Sequence, residues 1–155
     1  MEKKFGLIIL IVILFLAIFG FMFFNQYNNA ENQIKVGNTL FNLPEGFHQG
    51  TANKANDINV TNGYDTLFFK ECGDSNITKY IKEYKNYKHE ENNTTIVNIN
   101  NFTVKNIVVY KSTVVNESSS IHYWFDYNNK TYSIYTWSAN GNCDSIVKDI
   151  VNNLN

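Results

Sequence analysis

With 13 Lys, no Arg and 14 Asp plus Glu among 155 residues, the chain has a formal net charge of −1, which excludes both the basic surface of a nucleic-acid binder and an acidic tail. Lacking Arg, it also lacks the bidentate fork favoured at phosphate sites. Its two Cys and three His show no Cys-x-x-Cys and no i, i+4 spacing, so neither metal nor cofactor is expected.

Residues Phe5 to Phe24 read FGLIILIVILFLAIFGFMFF, without charge, amide or proline. About twenty helical residues at ~1.5 Å each match a ~30 Å hydrocarbon core, so a transmembrane helix is expected at 5–24. Lys3 and Lys4 precede it and no Lys follows until Lys35. That bias keeps residues 1–4 in the cytoplasm and sends the remainder across. The expected localisation is the cell membrane, single-pass, with an extracytoplasmic domain and the bilayer as a partner through 5–24. A cleaved signal is the rival, but the apolar run is long for one and only Ala30 offers a cleavage point. Residues 25–33 are polar and read as a tether, and 34–155 make one domain.

Within that domain, Ile34 to Leu43 is expected to form an edge hairpin or two short strands turning at Gly37-Asn38, closed by Pro44-Glu45-Gly46. Phe47 to Val60 reads as a loop with a short strand at its end. Tyr64 to Cys72 reads as a strand, and Gly73-Asp74-Ser75 breaks it and caps a helix over Asn76 to Lys88 with Ile77, Tyr80, Ile81 and Tyr84 on one face. Lys79, Lys82, Lys85 and Lys88 form its outer face, diluted by Glu83 and the following Glu90 and Glu91. Thr94 to Ile99 and Phe102 to Tyr110 are expected as a hairpin around Asn100-Asn101, followed by a polar loop over Ser112 to Ser119. Ile121 to Tyr127 and Lys130 to Trp137 form a second hairpin around Asn128-Asn129. Asp144 or Ser145 then caps a terminal helix with an apolar stripe of Ile146, Val147, Ile150, Val151 and Leu154. The expected class is α+β, an N-terminal transmembrane helix followed by an antiparallel sheet with two helices packed on it.

Cys72 and Cys143 stand at the junctions leading into the two helices of the domain. In an exported domain a disulfide is expected between them, contributing about 4 kcal/mol across a loop of some 70 residues. Two buried thiols are the alternative. Asn is the commonest residue and generates seven Asn-x-Ser/Thr sequons, at Asn59, Asn76, Asn92, Asn93, Asn101, Asn116 and Asn129, which permit glycosylation without arguing for it.

The last hairpin carries the candidate site. A two-residue turn fixes its register, placing Ile121, Tyr123, Phe125, Tyr132 and Ile134 on the core side. The other face pairs His122 with Tyr135, Trp124 with Ser133 and Asp126 with Thr131, with Trp137 near the end. His122, Trp124, Asp126, Tyr135 and Trp137 thus form a candidate platform for stacking sugar rings or meeting another protein. The competing reading is a second core layer covered by a helix or by Phe47 to Val60. Catalysis is not indicated: Asp65, Glu71, Asp74 and Asp126 show no paired-carboxylate pattern, and Ser118, Ser119 and Ser120 beside His122 lack an elbow motif.

The succession GNTLFNLPEGF, NITKYIKEY and HYWFDYNNKTYSIYTW before IVKDIV resembles small membrane-anchored extracytoplasmic proteins of methanogenic archaea. That resemblance implies a cell-surface setting and no catalytic residue. The Leu-Pro-Glu-Gly opening and helix-on-sheet order are also similar in architecture to PsbP and Mog1-like domains. The expected function is non-enzymatic binding of an envelope glycan or protein, the alternative an envelope hydrolase or an accessory subunit of a membrane complex.

Overall fold

The computed structural model describes residues 12–22, 32–51, 57–93, 95–115, 120–137 and 142–154. Residues 1–4, residues 5–11 and 23–24 of the expected transmembrane helix, residues 25–31 of the expected tether and residues 116–119 of the expected loop lie outside these. Residues 12–22 are the described part of the first helix, α1. No helix among the described residues is long and apolar enough to cross a membrane, which corrects the expected transmembrane helix at Phe5 to Phe24.

The remaining elements form an α+β arrangement. A two-stranded ribbon, β1 (Gln33–Val36) and β2 (Thr39–Asn42), lies apart from a seven-stranded antiparallel sheet. The sheet contains β3 (His48–Gln49), β4 (Ile58–Thr61), β5 (Thr66–Asp74), β6 (Ile96–Val104), β7 (Ile107–Val115), β8 (Ile121–Tyr127) and β9 (Lys130–Thr136). Their spatial order is β3-β4-β5-β9-β8-β7-β6. Two helices, α2 (Ile77–Glu91) and α3 (Cys143–Asn152), complete the domain.

Strand alternation divides the sheet into two unlike faces. On the first, Leu67 and Phe69 of β5, Tyr123 and Phe125 of β8, Tyr132 and Ile134 of β9 and Val109 of β7 meet the α3 stripe in one core. The β1–β2 ribbon caps that core instead of extending the sheet as an edge. It does so because Ile34 and Val36 alternate onto one face of β1 and Phe41 of β2 pairs with Ile34 on that face, where it enters edge-on to Phe69, Phe125 and Tyr132. The second face lies under α2, whose Tyr84 packs on β8. The helices therefore sit on opposite sides.

Four local expectations are corrected. The helix α2 is capped by Asn76, whose side chain accepts from Lys79 N at 3.2 Å, while Asp74 is still in β5. The first long hairpin turns at Lys105-Asn106, not Asn100-Asn101, and β7 continues through what reads as the polar loop as far as Val115. Lys105 takes a positive φ of 52° there, a conformation the Asn pair advertises more strongly. Asn142, not Asp144 or Ser145, is the N-cap of α3. The second hairpin has the expected register, with Asn128 and Asn129 both at positive φ.

No disulfide joins Cys72 to Cys143. Cys143 lies in the core under α3, while Cys72 follows Lys70 on the opposite face, at the irregularity where β5 shifts register between Glu71 and Gly73. The sheet itself stands between the two thiols, which a bond of ordinary geometry cannot span.

Candidate functional site

The aromatic face is a continuous ladder running across β8, β9 and β5. Trp124 stacks on His122 at 5.5 Å, His122 on Tyr135 at 4.9 Å and 8°, and Tyr135 on Phe68 at 5.0 Å and 14°. Trp137 closes the series against Phe68 at 4.8 Å and edge-on to Tyr135 at 5.5 Å. Cross-strand pairing creates this order: His122 faces Tyr135 across β8–β9, and Tyr135 faces Phe68 across β9–β5.

Most of the ladder is covered. Tyr84 of α2 lies 4.4 Å from the His122 ring and 5.2 Å from Trp124, leaving Trp124 only 3% exposed and Tyr135 9%. The five-residue platform is thereby corrected, and Trp124, His122 and Tyr135 form a second core layer. Trp137, at 53% exposed, is the member that presents a ring to solvent.

Asp126 is also placed differently from expectation. Its Oδ2 accepts from Ser75 Oγ and its Oδ1 from Thr131 Oγ1, each at 2.5 Å, while Asn76 N donates to Thr131 Oγ1 at 3.0 Å. The carboxylate thus ties the entry of α2 to the sheet. The acid that meets the ladder is Asp57, whose Oδ2 accepts from Tyr135 Oη at 2.6 Å. Burial first, then that bond to a carboxylate, raises the Tyr135 phenol above its ordinary range. Sequence reading missed Asp57 because its position beside Tyr135 depends on β4 and β5 lying next to β9.

Burial, with a smaller contribution from Lys88, lowers the His122 imidazole to about 4. Ser112 faces it across β7–β8 and is fully buried. A base that weak, beside a hydroxyl no substrate reaches, does not make a nucleophile pair. Ser112 Oγ and the Tyr84 hydroxyl are buried without a hydrogen-bond partner among the described residues. Other carboxylates are engaged in the fold: Asp74 receives Lys130 Nζ at 2.7 Å, and Asp144 receives Lys111 Nζ at 2.9 Å and Tyr123 Oη at 2.6 Å. Among the described residues no group of three His, Cys, Asp or Glu is disposed to hold a metal. The arrangement leaves an exposed indole packed on Phe68 and Tyr135, and the Tyr135 hydroxyl donates to Asp57. No protein-family model, curated protein or solved structure matches the chain.

Proposed function

We propose that this is a non-enzymatic binding domain that takes a glycan ring against Trp137, in an extracytoplasmic, envelope setting. The observation that carries the reading is the exposed Trp137 ring held in place by Phe68 and Tyr135. An indole fixed by two packed aromatics loses little freedom when a sugar stacks on it, and its apolar face matches the C–H side of a pyranose. Asp57 beside Tyr135 supplies an acceptor for ring hydroxyls.

The test is titration of the full-length protein with neutral oligosaccharides, following Trp fluorescence, in the parent and in Trp137→Ala. Loss of binding in a variant that keeps its thermal midpoint supports the reading. Equal binding by both proteins overturns it. The setting is tested separately by adding protease to intact cells, since a domain facing the cytoplasm would survive.

A further inference from the structure

At the end of β9 opposite Trp137, the β1–β2 ribbon and the β8–β9 turn enclose an open cleft of about 300 Å³. Gln33, Asn38, Asn42 and Asn128 line it together with Leu40 and Tyr127, and Thr39 completes the wall. None of these side chains carries a charge, so an ionic ligand finds no counter-charge in the lining. The volume lies at the small end of the range for ligand sites, ~300–1,000 Å³.

The lining is held in place before any ligand arrives. Gln33 Nε2 donates to Asn42 Oδ1 at 2.7 Å, and Asn42 Nδ2 donates to the Asn153 carbonyl at 2.8 Å, which fixes both amides. Thr39 Oγ1 bonds Tyr132 Oη at 2.7 Å, anchoring β2 to the sheet. Each wall is a tight turn with positive φ, Gly37 at 60° on one side and Asn128 and Asn129 at 49° and 61° on the other. Gly37 backs directly onto the Glu71 carboxylate, where a Cβ would fall 1.6 Å from Oε2. No hydrogen bond among the described residues engages the Asn38 or Asn128 amide. Leu40, 58% exposed, and Tyr127 supply apolar surface beside these amides.

From this we infer that the cleft is a second binding site, for one or two units of a neutral saccharide. Planar amides that both donate and accept, next to an aromatic ring and an aliphatic rim, match the mixed hydroxyl and C–H surface of an uncharged sugar. The inference is independent of Trp137, which lies about 20 Å away along β9 at ~3.3 Å per residue.

The experiment titrates the full-length protein with maltotriose, tri-N-acetylchitotriose and an anionic sialyllactose, using calorimetry and NMR of the side-chain amides. Neutral probes are expected to bind and to shift the Asn38, Asn42 and Asn128 amide signals. The double variant Asn38→Ala, Asn128→Gly, in which Gly keeps the positive φ of the turn, is expected to lose about tenfold in affinity. Leu40→Asp, on the exposed rim, is expected to weaken the same binding without relying on the turn. Trp137→Ala leaves binding at this site unchanged. Failure of all neutral probes to bind, preference for sialyllactose, or parent-like binding by both the double variant and Leu40→Asp overturns the inference. Loss of amide shifts only in Trp137→Ala would overturn it while supporting the Trp137 site.

Discussion

A single histidine gives the aromatic layer a pH dependence. In the unfolded chain His122 takes up a proton near its ordinary 6.5, whereas in the folded domain burial and Lys88 defer protonation to about 4. The unfolded state therefore binds more protons between these values. His122 contributes stability that is intact above pH 6.5 and is lost as pH falls toward 4, by up to about 3 kcal/mol. Urea midpoints measured across that window are expected to fall in the parent and to fall less in His122→Phe, which keeps a stacked ring. The two tryptophans separate the core role from the surface role. Trp124→Ala empties a buried site and is expected to cost about 3–5 kcal/mol, whereas Trp137→Ala costs about 1 kcal/mol or less. Chemical denaturation of the two variants checks the contrast. Comparable losses would show that Trp137 is structural.

At the scale of the element, the two helices of the domain are held very differently. Cys143, Ile146, Val147, Ile150 and Val151 of α3 are all buried, while α2 has no fully buried residue. Its hold on the sheet comes from Tyr84 over the ladder and from the Ser75–Asp126–Thr131 tie at its N-terminus. Asn76→Ala removes the cap and is expected to cost about 1 kcal/mol. Hydrogen exchange is expected to show α2 amides opening before those of α3, and more so in that variant. Equal protection of both helices would contradict this difference. The β6–β7 turn supplies a converse case, because Lys105 holds a left-handed backbone where Gly suffers no Cβ clash. Lys105→Gly is expected to stabilise by up to about 1 kcal/mol, read as a higher thermal midpoint, with the hairpin register unchanged.

Across the whole molecule, the sheet is a partition. Its first face carries the main core under α3 and the ribbon, and its second carries the aromatic ladder under α2. The partition keeps Cys72 and Cys143 apart, so non-reducing and reducing electrophoresis of the alkylated protein are expected to give the same mobility. Burial pushes the Cys72 thiol up to about 11, which slows its alkylation in the native state relative to an exposed thiol. A faster-migrating non-reduced form containing both residues would contradict the partition.

The sequence by itself determined the second hairpin, the alternation that sends Tyr123, Phe125, Tyr132 and Ile134 inward, and the stripe of α3. These follow from local rules: a two-residue turn at Asn128-Asn129 fixes register, and periods of two and 3.6 residues fix faces. The position of the first hairpin was not legible, because in so Asn-rich a chain an Asn pair in an exposed edge strand looks like a turn. The membrane-spanning reading rested on the uncharged apolar run at 5–24, and no helix among the described residues is long and apolar enough to span. For the site, sequence named the ladder and offered a helix or Phe47 to Val60 as its cover without choosing between an open and a covered face. Which face receives Tyr84, whether Asp126 meets solvent or Ser75, where Asp57 and Phe68 join Tyr135, and that the ribbon closes a cleft are long-range placements. They were decided only in the tertiary structure, because they depend on pairing between segments that no local periodicity relates.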